Sequence, residues 1–220
     1  MTVTLIFLAV IMITVIVWLL RQTINVQPWV SDPAADAVSG RSLPTHTKTI
    51  GLTTFLAVAT SLFALFVSAY TLRMQMLDWR PLPEPDLLWI NTGFLVLASV
   101  AYHWTRSQAI KGHDTAVKTG LLMSGVLSIL FLAGQFIAWQ QLNGSGYYLS
   151  SNPANAFFYL LTAVHGIHLL GGLYVWARST AKAWNADEAE SVRLSIELCT
   201  VYWHFLLLVW VVLFGLLLST

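Results

Sequence analysis

Residues 156–177 read AFFYLLTAVHGIHLLGGLYVWA, without a single Lys, Arg, Asp or Glu. A hydrocarbon core about 30 Å thick is crossed by roughly 20 apolar residues in a helix, so this stretch predicts a transmembrane helix. Five more stretches satisfy the same criterion: Val3–Leu20, Ile50–Leu72, Leu87–Trp104, Thr119–Leu142 and Leu198–Thr220. The composition agrees. Of 220 residues, 57% are hydrophobic and only 10% charged, whereas a soluble domain carries about 25% charged residues. The fold class this predicts is all-α, a polytopic transmembrane bundle of six spans.

Charges between the spans predict the orientation. Arg21, Arg41, Lys48, Arg106, Lys111, Lys118, Arg178, Lys182 and Arg193 follow spans one, three and five, while Arg73 and Arg80 stand on the other side. Basic residues gather on the cytoplasmic side, so both termini are expected on the outer, periplasmic side of a bacterial inner membrane. The first span lacks the basic lead and small-residue cleavage site of a secretory signal and is read as a retained anchor. A net charge of +1 predicts no nucleic-acid partner. Cys199 is the sole cysteine, so an internal disulfide is excluded.

Three segments follow: an anchor helix over residues 1–22, a cytoplasmic linker over 23–47, and a five-helix unit over 48–220. The linker holds Pro, Asp, Ser and Gly from Gln27 to Pro44 without apolar periodicity. Pro81, Pro83 and Pro85 predict a stiff outer connection, since each fixes φ and restrains its predecessor.

Polar side chains inside spans are expensive in lipid and are the natural candidates for function. His165 and His168 share one face of the fifth span, three residues apart. At a rise of 1.5 Å per residue, His168 and His204 of the sixth span lie roughly level, about 18 and 21 Å from the outer surface. Two readings are open for them. Neutral imidazoles between spans can hold a haem or a metal, or can act as packing pins through interhelical hydrogen bonds. Gly166, Gly171 and Gly172 read as a closely packing helix face. Glu197 reads as a first-turn residue of the sixth helix, favoured by the helix dipole or paired with Arg193. Gln135, with Trp139 one turn on, is either a donor across helices or an isolated amide. His103 and His113 are read as solvated, near or in loops. Arg21, Arg41 and Lys48 are candidate contacts for lipid phosphate at a groove beside the first span.

The stretch Phe157–Gly172, with its two histidines, resembles the signature of cytochrome c oxidase subunit III. So does Glu197 followed by Tyr202-Trp203-His204-Phe205 and Val209-Trp210. Weaker echoes precede them: Lys48 with Gly51 and Phe55, the pair Asn91-Thr92, and Gly134-Gln135 with Trp139. The resemblance runs in order over residues 48–220. It implies a cofactor-free helical subunit that packs on the catalytic subunit I of a terminal oxidase. Haem and copper would reside in partner subunits. The chain would itself be non-catalytic and would bind phospholipid. His165, His168, Gly171, Gly172, Glu197, Tyr202, Trp203, His204 and Trp210 are then structural or interface residues.

This chain departs from the family's pattern where carboxylates are usual, with Ala59, Ala138 and Leu206 or Leu207 in their places. A proton-antenna role therefore does not carry over. A quinol oxidase subunit and the accessory subunit of a nitric oxide reductase are the neighbouring alternatives. A membrane b-type cytochrome using His168 and His204, or a stand-alone transporter, are the alternatives of other classes.

Overall fold

The computed structural model describes residues 45–83, 86–185 and 189–219. It holds five α-helices and, among the described residues, no strand: α1 Thr45–Arg73, α2 Leu87–Lys111, α3 Asp114–Gly144, α4 Pro153–Trp184 and α5 Ala189–Leu218. All five are long and apolar enough to cross a membrane. The span at Val3–Leu20, Arg21, Arg41, the linker as far as residue 44 and both chain ends lie outside the described residues.

Each helix begins before its apolar run or ends after it. A 31-residue helix such as α3 is about 46 Å long, enough to cross the hydrocarbon and both headgroup layers. Arg106, Lys111, Lys118, Arg178, Lys182 and Arg193 consequently sit on helix ends, where the sequence reading assigns most of them to loops. The true connections are short. Between α2 and α3 only Gly112 and His113 intervene. Gly112 caps α2 at φ 73°, its N–H turned to the carbonyls of Ala109 and Gln108. Glycine enters this left-handed region without the Cβ clash. At α4, Asn152 accepts a hydrogen bond from the N–H of Ala154 at 3.3 Å and Pro153 opens the helix, a start that needs no N–H from its first residue.

The chain divides into two compact units within α1, at Ser68. In the first, Leu56, Ala59, Phe63 and Val67 are buried at intervals of three or four residues, one face of a helix. Thr53, Thr60 and Ser61 return their hydroxyls to carbonyls four residues back, so none of the three is stranded in an apolar setting.

In the second unit the four remaining helices close a ring, with α2 on α3, α3 on α4, α4 on α5 and α5 on α2. Its centre is aromatic: Tyr102, Phe131, Phe158, Trp203 and Trp210 are essentially inaccessible. Outside, Val100, Val126, Ile137, Ile167, Leu170 and Leu208 face away from the bundle, as a surface meeting lipid tails requires.

The connections at the other end are tied down. Tyr70, at the end of α1, stands edge-on to Trp79 and Phe157, at 4.9 and 5.5 Å. Asn152 accepts from the Arg80 N–H and donates to the Arg80 carbonyl, joining the two connecting loops. Arg73 clasps Asp78 with both terminal guanidinium nitrogens. Those hydrogen bonds hold the Asp78 carboxyl below the usual carboxylate range. A depressed pKa means the clasp is present at neutral pH and lost as pH falls through that lowered value. Amide exchange of Met74–Trp79 is therefore expected to quicken only below the ordinary carboxylate range. In Asp78→Asn it should be fast at all pH, with exchange in α2–α5 unchanged.

Candidate functional site

The residues singled out by the sequence meet mainly along α4 and α5, and tryptophan dominates how they meet. An indole N–H buried in an apolar bundle must find an acceptor. Trp203 donates to Ser128 Oγ of α3 at 2.8 Å, and Trp210 to Thr92 Oγ1 of α2 at 2.9 Å. Trp176 donates to the Leu121 carbonyl at 2.8 Å, and Trp139 to Thr162 Oγ1 at 3.0 Å. The Tyr202 hydroxyl donates to the His168 carbonyl at 2.8 Å. These five bonds stitch all four helices of the ring together.

His165 lies fully buried in the same seam. Its ring is edge-on to Phe131 at 5.8 Å and tilted over Trp210 at 5.2 Å. His168 turns its Nδ1 to the Val164 carbonyl of its own helix at 2.8 Å. His204 turns elsewhere, its Nδ1 2.6 Å from Ser99 Oγ of α2 and its ring stacked on His103 at 5.9 Å. The two level histidines thus serve different neighbours. Among the described residues, no three His, Cys, Asp or Glu side chains come close enough to share a metal.

Of the three glycines in the motif, one makes the close approach. A Cβ on Gly172 would lie 2.7 Å from Tyr202 Cε1 and 3.0 Å from Trp203 Cη2, whereas Gly171 has nothing within 4 Å and Gly166 only Leu132 at 3.9 Å. Three approaches on α3 are closer still, with a Cβ on Gly120 falling 2.2 Å from Thr105 Oγ1; the sequence reading names Gly134 among them only as part of a motif. A Cβ on Gly125 would fall 2.0 Å from the Trp176 ring, and one on Gly134 would fall 2.0 Å from Asn91 Oδ1. Gly134 thereby admits the Asn91 side chain against the α3 backbone. Asn91 and Gln135 are both buried, and neither amide finds a hydrogen-bond partner among the described residues.

Glu197 corrects the expectation made for it. It pairs with Arg106 of α2, Nη2 to Oε1 2.6 Å, and not with Arg193. The reason is that α5 starts at Ala189, about two turns before the apolar run, so Glu197 faces α2 from within the helix. His103 likewise belongs to α2 and touches His204, where the sequence reading leaves it near solvent. The spacing of Ser99, His103 and Arg106 against Glu197 and His204 carries that ladder, visible once the two helices are paired. Of the candidate lipid contacts only Lys48 is described. It is half-buried on α1.

Helices long and apolar enough for a bilayer, joined by polar pins, define an integral membrane protein. The family model for cytochrome c oxidase subunit III matches residues 1–218. That match includes the first span, which the motifs alone leave out. The chain is similar to the cytochrome c oxidase subunit 3 of Synechocystis sp., 28% identical over 176 residues, 76% of this chain and 73% of that one. It is similar to that of Thermostichus vulcanus, 28% identical over 180 residues, 77% and 86%. The probable cytochrome c oxidase subunit 3 of Nocardia farcinica is 28% identical over 158 residues, 69% and 76%.

The chain belongs to the cytochrome c oxidase subunit III family. It is a multi-pass membrane protein and a subunit III of a haem–copper oxidase, one component of a terminal oxidase complex. The quinol oxidase and nitric oxide reductase alternatives are not favoured by these relatives.

The glycine geometry gives a paired expectation. Gly172→Ala forces the Tyr202 and Trp203 rings aside and should cost about 1–3 kcal/mol. Gly171→Ala meets nothing and should cost none. Thermal unfolding of the two variants in detergent checks the difference.

Proposed function

We propose that this chain is a cofactor-free scaffold that clamps the catalytic subunit I of its oxidase and keeps that subunit intact through turnover. The observation that carries the reading is a polar ladder left on the outside of the ring. Ser99, His103 and Arg106 on α2 face His204 and Glu197 on α5. His103 and His204 are exposed, and the Arg106 and Glu197 side chains keep 39% and 42% of their surface. Ionisable groups on a membrane span turn toward protein, because hydrocarbon solvates them poorly. A partner helix is the fitting cover, and the family supplies one in subunit I. His165, His168, Gly171, Gly172, Tyr202, Trp203 and Trp210 are then residues of internal architecture, while Glu197 and His204 belong to the docking face.

The same proposal includes six spans in a bacterial inner membrane, both termini outside, and the division into anchor, linker and five-helix unit. The nine-to-two bias of basic residues supports that orientation. Lipid phosphate at Arg21, Arg41 and Lys48 belongs to it as well. Proton transfer does not. The positions where the family usually places carboxylates hold Ala59, Ala138 and Leu206 or Leu207, all without a titratable group. The spans of α1–α5 offer histidines already engaged in packing and hydrogen bonds.

Val201 lies on the α5 face between Glu197 and His204 and is 41% exposed. Val201→Trp should leave the chain folded, yet co-purification with the haem-bearing subunit should fall several-fold. Ile167→Trp on α4 should not change recovery. Equal recovery of the complex with both variants would refute the docking face. In the complex stripped of this chain, initial electron transfer should persist while activity decays faster during turnover. The isolated chain should show no Soret band, and His204→Phe in the intact complex should leave the proton-to-electron ratio unchanged.

A further inference from the structure

Away from the polar ladder, a cavity of about 340 Å³ opens where α2 and α4 end and α3 and α5 begin. Three basic side chains from three helices line it, Lys118 of α3, Lys182 of α4 and Arg193 of α5, against the one carboxylate of Asp114. Among the described residues the ion pairs are Arg73–Asp78 and Arg106–Glu197, so none of these three cations is neutralised there. Lys118 is held with its ammonium 5.7 Å from the centre of the Trp184 ring, a favourable place for a cation. The floor is apolar: Val117 and Ile196 lie in the lining and belong to a buried hydrophobic cluster.

We propose that this cavity binds the phosphate headgroup of an anionic phospholipid, the phosphodiester against Lys182, Arg193 and Lys118 and the glycerol carbons on Val117 and Ile196. Ammonium and guanidinium groups lining one cavity suit a phosphate oxygen cluster. Among the described lining residues, the surplus of two positive charges disfavours the choline of a zwitterionic lipid, which brings a cation of its own. The volume is of the size that holds a small ligand. Lipid is favoured over a soluble phosphate ester because the helices cross the membrane boundary at this end, and a free phosphate makes no use of an apolar floor. The site uses none of Arg21, Arg41 and Lys48, and it does not depend on the docking face for subunit I.

Native mass spectrometry of the delipidated full chain, titrated with phosphatidylglycerol, phosphatidylcholine or glycerol 3-phosphate, tests this. Phosphatidylglycerol should bind at least tenfold more tightly than phosphatidylcholine. Each cation near a lipid surface contributes about fivefold in affinity, so the double variant Lys182→Gln/Arg193→Gln should weaken phosphatidylglycerol about 25-fold. Lys111→Gln, at the same end but outside the lining, should bind as the wild type does. Unchanged thermal unfolding shows that the double variant is folded. Full affinity in the double variant, equal binding of the two lipids, or an equal loss in Lys111→Gln would each overturn the site. Displacement of the lipid by equimolar glycerol 3-phosphate would overturn the lipid assignment in favour of a soluble phosphate ester.

Discussion

A buried N–H in a membrane bundle has no water to fall back on, and this structure is arranged around that constraint. Five long donors, the indoles of Trp139, Trp176, Trp203 and Trp210 and the hydroxyl of Tyr202, each end on an acceptor of a neighbouring helix. Between membrane helices the hydrophobic effect offers little net drive, since lipid tails are as apolar as the side chains. Packing and such hydrogen bonds must select the helix pairs. Because each donor sits at the tip of a wide ring, satisfying it also fixes a large area of contact. The order of the ring follows from which acceptor each indole can reach.

Wide rings need room, and the opposing helix supplies it by omission. Gly125 lies under Trp176 and Gly172 lies under Tyr202 and Trp203. Ser124 and Ser128 of α3 are small, fully buried, and return their hydroxyls to their own helix. Ser128 Oγ does two things at once, donating to the Ser124 carbonyl and accepting from Trp203. Small residues on α3 and α4 and large ones on α4 and α5 are therefore halves of one device. A tryptophan placed against a leucine would force the helices apart, and its N–H would lose its acceptor.

The residues show why some of this is legible in sequence and some is not. Apolar runs set the helices because the bilayer thickness is a fixed length; α1–α4 each contain the run that predicts them, and α5 covers its run as far as Leu218. Their ends are less legible, because a charged stretch continues a helix as readily as it ends one. The displaced partner of Glu197 follows directly from that extension. The histidines were visible as polar, but depth alone placed His168 beside His204. Rotation about the helix axis decides partners, and it turned His204 toward Ser99 and His103. Gly171 and Gly172 are chemically identical neighbours about 100° apart around the axis, so only the packed structure distinguishes the filled side from the open one.

That angular division also separates the two roles that polar groups hold here. On the inner arc, His165, Asn91, Gln135 and Thr162 are buried. His165 and Thr162 are held by neighbours of the same chain, His165 between the Phe131 and Trp210 rings and Thr162 by the Trp139 indole, so their contribution is to the shape of this bundle. On the outer arc between α2 and α5, Arg106, Glu197, His103 and His204 form a strip that satisfies itself only in part, one ion pair and one stacked pair with exposed edges. The two arcs are continuous through Ser99, which is buried yet bonds to His204 at the surface. Tyr102, one turn from Ser99 on α2, has its ring 4.3 Å from that of Trp203, so one helix carries both the strip and the seam that closes the ring.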